Sequence, residues 1–134
     1  MNKQKPIVMM VDDEPDYTAV VRHWLESDYQ FYGYKTGEEF LSSLSAIVPE
    51  VVILDLYLLG VDGFELSRRM QALPGFEKVP VVFLTGSTRV EDYRKSLVAG
   101  ASSYLMKPVS RPQLLAVVAS LLPQPSMQDD RGGD

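Results

Sequence analysis

Short runs of β-branched and aliphatic residues alternate along the chain with segments whose apolar positions recur at helical spacing. Three runs, Ile7–Val11, Val51–Leu54 and Val79–Leu84, are apolar on both faces, which is typical of strands covered on both sides of a sheet. The aromatic segment Tyr29–Tyr34 and the short segment Ser103–Met106 predict two further strands. The hydrophobic pattern therefore predicts five strands.

Each predicted strand is followed by a segment with helical periodicity. Apolar residues of the first helix recur at spacings of three and four, in a stripe formed by Tyr17, Val20, Val21, Trp24 and Leu25. A capping box places Ser or Thr at a helix start and Glu or Gln three residues later. This pattern predicts three helix starts, at Thr36 with Glu39, at Thr88 with Glu91 and at Ser110 with Gln113.

The fourth helix is predicted to have one apolar and one polar side. Its apolar stripe contains Tyr93, Leu97 and Val98. Gly100 follows where a C-terminal glycine is expected. The polar side is predicted to present Arg89, Asp92, Arg94 and Lys95 to solvent.

Five alternations of strand and helix predict an α/β fold, a doubly wound parallel sheet with helices on both faces. We expect the flavodoxin-like (βα)5 strand order 2-1-3-4-5, in which ligands bind beyond the carboxyl ends of the strands. The length of 134 residues suits one domain. We assign residues 1–122 to this domain and expect residues 123–134, rich in Pro, Gly and acids, to be a disordered tail or the start of a linker.

Composition excludes several classes of function. The net charge of −5 argues against direct nucleic-acid binding, which needs a basic surface. The absence of cysteine excludes disulfides, thiol nucleophiles and Cys-ligated zinc, and the single histidine excludes a multi-histidine metal site. The apolar run near the N-terminus is too short for a signal peptide or a membrane span, so we expect a soluble, cytoplasmic protein without a membrane partner.

Polar residues stand where the predicted strands end. Asp12 and Asp13 follow the first strand, Asp55 the third, Thr85 ends the fourth and Lys107 follows the fifth. In a parallel sheet these ends meet at one edge, so three carboxylates come together. Two carboxylates ~4 Å apart repel by about 4 kcal/mol at an effective dielectric constant near 20. Such a cluster raises a pKa or recruits a cation, and oxygen ligands in an open site suit Mg²⁺.

These groups are also the parts needed to accept a phosphoryl group. A carboxylate can attack phosphorus, while a divalent cation, an ammonium and a hydroxyl offset the charge on the phosphoryl oxygens. The segments that carry them read VDDEP at 11–15, ILDLYLLGVDG at 53–63, VFLTG at 82–86 and YLMKPV at 104–109. With these four motifs in order, residues 6–122 resemble a receiver domain of the two-component response regulators, of the chemotaxis-regulator type.

The resemblance implies a role for each motif residue. Asp55 would be the phosphoacceptor, and Thr85 and Lys107 would contact the phosphoryl oxygens. Mg²⁺ would be bound directly by Asp13, mainly through water by Asp12, by Asp55 itself and by the backbone carbonyl of Tyr57. Tyr104 would act as a rotamer switch that turns inward on phosphorylation, and the Lys107–Pro108 peptide would be cis.

The resemblance further implies partners. A histidine kinase or a histidine phosphotransfer protein would donate the phosphoryl group, and a downstream effector or a fused output domain would read the surface of helix 4, strand 5 and helix 5. A homodimer could form through the same surface. The chain would be a signalling domain, with self-catalysed phosphoryl transfer and slow self-dephosphorylation. It departs from the family at Leu58 and Leu59, where Met-Pro is common, and at the bulky Tyr57, which bears on the phosphoryl lifetime.

Three alternatives share parts of this pattern. A flavodoxin-like FMN protein would need a phosphate loop rich in Ser, Thr and Gly after the first strand, where this chain has VDDEP. A haloacid-dehalogenase-type phosphatase normally has a D-x-D motif at that place. A phosphorylation-independent interaction module of the same fold would typically lack an acid, the acceptor or the lysine, and this chain lacks none of them.

Overall fold

The computed structural model describes residues 4–122 of the 134-residue chain. The predicted tail, residues 123–134, lies outside the described residues. Five parallel strands form one sheet in the order β2-β1-β3-β4-β5, which confirms the predicted topology. The strands are β1 Ile7–Val11, β2 Gln30–Tyr34, β3 Val51–Leu54, β4 Val81–Thr85 and β5 Ser103–Met106.

Strand β4 begins two residues later than the pattern predicted. Pro80 has no backbone N–H, so it cannot donate to a ladder, although its carbonyl accepts a hydrogen bond from the Val52 N–H at 3.1 Å. The strand instead continues to Thr85, which pairs with Met106. Since Val11 also pairs with Leu54, the strands end together at one side of the sheet, which we term the carboxyl edge.

Five helices connect and follow the strands. Side-chain caps begin three of them: Thr36 accepts a hydrogen bond from Glu39 N at 3.1 Å, and Asp62 and Ser110 do the same for the residues three positions later. The predicted cap at Thr88 is wrong, because the helix begins after Arg89 and has no side-chain cap. The helices are α1 Pro15–Leu25, α2 Gly37–Ser43, α3 Gly63–Gln71, α4 Val90–Val98 and α5 Arg111–Leu121.

Two apolar clusters cover the two faces of the sheet. Alternate residues of β1 point to opposite faces, so that Val8 packs with α1 and α5 while Met9 packs with α2 and α3. Val20, predicted in the buried stripe of α1, is 43% exposed instead. Within residues 4–122, neither cluster includes a residue of α4.

Helix α4 does not bury the side that was predicted, although Arg89, Arg94 and Lys95 are exposed as expected. Tyr93, Leu97 and Val98 are exposed, Val98 to 90%, whereas Asp92 and Ser96 are buried. The buried polar groups are satisfied, because the Asp92 carboxylate accepts hydrogen bonds from two hydroxyls and Ser96 Oγ donates to a backbone carbonyl at 2.6 Å. Asp92 therefore does not belong to the solvent-facing side predicted for it.

Candidate functional site

Three carboxylates meet at the carboxyl edge, as the sequence predicted. Asp12, Asp13 and Asp55 each place one oxygen within 4.8 Å of the others, and we term them the acidic cluster. The ladder continues into this site, since Asp12 N donates to the Tyr34 carbonyl and Asp55 N to the Val11 carbonyl, both at 3.1 Å. Two of the three carboxylates are thereby attached to a rigid main chain.

Lys107 is bound by this cluster and by a fourth acid. Its Nζ donates to Asp12 Oδ2 and to Glu14 Oε1 at 2.9 Å each, and to Asp55 Oδ2 at 3.5 Å. It also lies 4.5 Å from the centre of the Tyr17 ring. Burial lowers the pKa of Lys107, but the hydrogen bonds to Asp12 and Glu14 outweigh it, so that the pKa is raised above its ordinary value. The ammonium is therefore charged across the physiological range.

The charge balance of the site favours an additional cation. Burial raises the pKa of Asp12, against the opposing effect of Lys107, so that ionisation of this carboxyl is less favourable in the folded protein than in water. One ammonium faces the three carboxylates of the acidic cluster and Glu14. The donor set consists of carboxylate oxygens, the ligands preferred by hard divalent cations such as Mg²⁺. The residues present therefore fit this ion.

Thr85 and Tyr104 occupy adjacent strands beside the cluster. Thr85 is fully buried at the end of β4, and its Oγ1 accepts a hydrogen bond from Ser87 N at 3.2 Å. The Tyr104 hydroxyl is buried and makes no hydrogen bond of ordinary geometry within the part of the chain described here, and burial raises its pKa against the opposing effect of the nearby Ser87 hydroxyl. The Tyr104 side chain is partly buried, and its ring contacts the Tyr93 ring of α4 at a centroid distance of 5.5 Å.

The peptide bond between Lys107 and Pro108 is cis, as predicted. The backbone N–H of Lys107 donates to the Thr85 carbonyl at 2.8 Å, which extends the pairing of β4 with β5 by one further bond. Lys107 and Thr85, both named from the sequence, are thereby brought together at the same edge.

Tyr57 connects the loop after β3 to α4. Its N–H donates to Asp55 Oδ1 at 3.4 Å, and its hydroxyl donates a short hydrogen bond to Asp92. That hydrogen bond raises the pKa of Tyr57. Burial raises the pKa of Asp92, but the hydrogen bonds from Ser87 and Tyr57 outweigh it and leave the Asp92 pKa lowered.

Sequence reasoning missed three residues near the site, Glu14, Ser87 and Asp92. Glu14 belongs to the quoted VDDEP motif, and its charge beside two aspartates was a usable signal. Ser87 stands two residues after Thr85, in the loop that precedes α4. The role of Asp92 had no such signal, because a first-turn acid ordinarily faces solvent near the helix N-terminus.

Residues 8–119 match the family model described as the response regulator receiver domain. Among curated proteins, the chain is 33% identical to the phosphate regulon transcriptional regulatory protein PhoB of Rhizobium meliloti, over 87% of this chain and 52% of that protein. It is also 34% identical to an uncharacterized 14.6 kDa protein of Leptolyngbya boryana, over 83% of this chain and 86% of that protein. The chain thus spans about half the length of the first relative and most of the second.

Solved structures of response regulators have the same fold as this chain. The chemotaxis response regulator CheY4 of Vibrio cholerae superposes with a TM-score of 0.81 at 25% identity, covering 89% of this chain and all of that one. This likeness extends over the sheet and all five helices.

Among residues 4–122, no helix combines the length and the apolar content needed to cross a lipid bilayer.

Proposed function

The chain belongs to the response regulator receiver domain family, and from that premise we propose that Asp55 is the residue that accepts the phosphoryl group. As a receiver domain it acts in two-component signal transduction. The observation that supports the assignment is the position of Asp55, whose carboxylate lies 3.5 Å from the Lys107 ammonium and within 4.8 Å of two further carboxylates. Asp12 also follows an interior strand and contacts Lys107, but its side chain is fully buried, whereas the Asp55 side chain at the end of the central strand β3 is 10% exposed and can be reached by a donor.

The proposed reaction is an exchange of one bond to phosphorus. An Asp55 carboxylate oxygen forms a bond to the phosphorus atom, and the bond from phosphorus to the donor's imidazole nitrogen breaks, with the electron pair remaining on that nitrogen. Lys107 offsets the charge on the phosphoryl oxygens, and the Thr85 hydroxyl donates a hydrogen bond to one of them. Self-catalysed transfer and slow self-dephosphorylation belong to this proposal, which includes no activity toward a separate substrate.

Mg²⁺ is the cation that we propose for the acidic cluster. Asp13 would bind it directly, Asp12 mainly through water, and the Tyr57 carbonyl would complete the protein ligands beside Asp55. When bound, the ion supplies positive charge opposite the phosphoryl oxygens. The raised pKa of Asp12 supports this assignment, since a divalent cation relieves the cost of an ionised, buried carboxylate.

The proposed output surface consists of α4, β5 and α5. Thr85 and Tyr104 would connect it to the phosphoryl group, the former by direct contact and the latter by its side-chain position. Val90, Tyr93, Leu97 and Met106 are exposed apolar residues of this surface, so its partner would meet an apolar area beside the exposed charges of Arg89, Arg94 and Lys95. A homodimer or an effector could bind there.

The partners in signalling follow from the family. We propose a histidine kinase or a histidine phosphotransfer protein as the donor, and a downstream effector or a fused output domain as the recipient of the signal. The PhoB relative is named a transcriptional regulatory protein, and the present chain spans about half of it, so that regulatory role is not assigned to the present chain. We further propose a cytoplasmic location and a receiver unit spanning residues 1–122.

Mass spectrometry tests the phosphoacceptor. Incubation with acetyl phosphate and Mg²⁺ should add one phosphoryl group to the wild-type chain, and Asp55→Asn should abolish the addition. Asp16→Asn, which removes the same charge from the first turn of α1, is the matched control and should be phosphorylated normally. An undiminished yield in Asp55→Asn would contradict the assignment, and an absorbance spectrum without flavin bands would exclude the FMN alternative.

A further inference from the structure

A buried carboxylate outside the acidic cluster connects two loops of the site to α4. Asp92 lies in the first turn of α4 and is 5% exposed. Its Oδ2 atom accepts hydrogen bonds from the hydroxyls of both Tyr57 and Ser87, the latter at 2.5 Å. We propose that Asp92 is a positioning residue, which holds the loops after β3 and β4 in the arrangement that the phosphoacceptor site requires.

Each of the two loops reaches Asp92 from a residue of the site. On one side, Tyr57 follows Asp55 by two positions, and its N–H contacts an oxygen of that carboxylate at 3.4 Å. On the other side, Ser87 follows Thr85 by two positions, and its N–H donates to the Thr85 hydroxyl at 3.2 Å. The phosphoacceptor and the hydroxyl beside it are therefore each connected through two hydrogen bonds to one oxygen atom of α4.

Helix α4 has few other contacts that would fix its position. Its buried residues are Asp92 and Ser96, and the Ser96 hydroxyl bonds to a carbonyl of the same helix. The apolar side of the helix faces solvent, so apolar packing does not determine where the helix begins. The Asp92 contacts thus join the N-terminal turn of α4 to the site, and a change at Tyr57 is transmitted to α4.

The connection operates in both directions. If a ligand at the carboxyl edge displaces the Tyr57 main chain, the Tyr57 hydroxyl and Asp92 must move together or separate. Equally, a partner that displaces α4 changes the position of the Tyr57 carbonyl, because coupling between two sites is reciprocal. This inference rests on the proposed function, since it assigns the Tyr57 carbonyl and Asp55 to one site.

The test uses Mg²⁺ alone as the probe and amide NMR shifts as the measurement. In the wild-type chain, Mg²⁺ should shift amides of the acidic cluster and also those of residues 90–98. In Tyr57→Phe and in Asp92→Ala, the shifts at residues 90–98 should be lost while those of Asp12 and Asp13 remain. Asp92→Asn retains an acceptor oxygen and should restore part of the response.

Tyr93→Phe is the matched control, because it removes a hydroxyl from α4 itself, one that has no hydrogen bond among residues 4–122. It should leave both sets of shifts intact. Tyr57→Phe deletes one oxygen from a half-exposed side chain, so we expect this variant to fold. It therefore tests the same connection if Asp92→Ala does not fold. If the shifts at residues 90–98 are undiminished in Tyr57→Phe, the positioning role of Asp92 is wrong but the proposed Mg²⁺ site stands. If Mg²⁺ causes no shifts in the wild-type chain, both the positioning role and the Mg²⁺ site are wrong.

Discussion

The Nζ atom of Lys107 lies 2.9 Å from the Oε1 atom of Glu14, a residue 93 positions earlier in the chain. The Glu14 side chain is 64% exposed, whereas that of Lys107 is largely buried, so the contact lies on the solvent side of the ammonium. Under the proposed function, an incoming phosphoryl group would approach the same ammonium. We therefore expect Glu14 to compete with the phosphoryl oxygens for Lys107.

Replacing Glu14 should make the site more reactive. An exposed ion pair is worth about 0.2–1 kcal/mol, which corresponds to about a 1.4- to 5-fold change in a rate constant. We expect Glu14→Gln to accelerate phosphorylation by acetyl phosphate within that range, as measured by intact mass against time. Asp16→Asn changes the net charge equally without a contact to Lys107 and should leave the rate unchanged. A slower reaction in Glu14→Gln would show that Glu14 assists rather than competes.

Mg²⁺ should stabilise the folded chain. A ligand that binds only the folded state adds about 1.4 kcal/mol to the free energy of unfolding at ten times its dissociation constant. Calorimetry should therefore show a higher Tm with Mg²⁺, and Asp13→Ala should remove the increase. Asp28→Ala deletes an aspartate outside the cluster and should preserve it. Equal stabilisation of the wild type and Asp13→Ala would rule out this ligand assignment.

The pKa of Asp12 predicts a pH dependence of stability without Mg²⁺. Burial raises the pKa of Asp12 above its ordinary value of 3.8 in the folded state. The folded state therefore binds this proton more tightly than the unfolded state, so the contribution of Asp12 is most favourable below 3.8 and is lost as the pH rises through the folded-state pKa. Asp12→Asn, which remains uncharged, should be more stable than wild type at neutral pH.

Urea unfolding of both proteins between neutral pH and about pH 4 measures this difference. The advantage of Asp12→Asn should shrink as the pH falls, because the wild-type carboxyl becomes protonated. The other titrating groups are the same in both proteins and largely cancel. An advantage that is constant with pH would mean that the amide stabilises the fold for a reason other than charge.

The sheet and the site could be predicted because each depends on a local pattern. Apolar runs identified three strands, and an aromatic segment and a short segment identified the other two. The parallel topology then brought together the polar residues at the strand ends. Helix α4 was predicted with the wrong orientation, since its burial is decided by the hydroxyls of Tyr57 and Ser87, which satisfy Asp92 from other parts of the chain. Periodicity measures which residues are apolar and does not detect a distant partner for a buried acid.

Gly63 should prove essential for the geometry of Asp55. A Cβ atom at this position would lie 2.3 Å from the Asp55 carbonyl oxygen and 3.0 Å from the Leu56 Cα, and both are backbone atoms that cannot rotate away. We expect Gly63→Ala to lower the free energy of unfolding by about 1–3 kcal/mol, the usual cost of overpacking. Phosphorylation at Asp55 should slow as well, because the main chain that positions the carboxylate is displaced.

Gly86→Ala provides the comparison for Gly63. It adds the same methyl group to a loop at the same edge, with nothing within 4 Å of the new Cβ. Its free energy of unfolding should stay within about 0.5 kcal/mol of the wild-type value. If both variants lose the same stability, the close approach at Gly63 is not the cause.

The hydroxyl of Tyr104 should cost the folded chain stability. Its oxygen is buried and has only the nearby Ser87 hydroxyl to compensate it, without a hydrogen bond of ordinary geometry among residues 4–122. Its ring contacts the Tyr93 ring at a centroid distance of 5.5 Å, a contact that phenylalanine can also make. A buried polar group without a partner carries a desolvation cost of about 1–3 kcal/mol. Tyr104→Phe should therefore raise the free energy of unfolding, by up to that amount.

Tyr57→Phe provides the comparison and should lower the free energy of unfolding by about 0.5–1.5 kcal/mol, because the Tyr57 hydroxyl is bound to Asp92 at a half-exposed position. Urea unfolding of the two variants tests this, because the free energy of unfolding should change in opposite directions. A destabilised Tyr104→Phe would show that the Tyr104 hydroxyl has a partner.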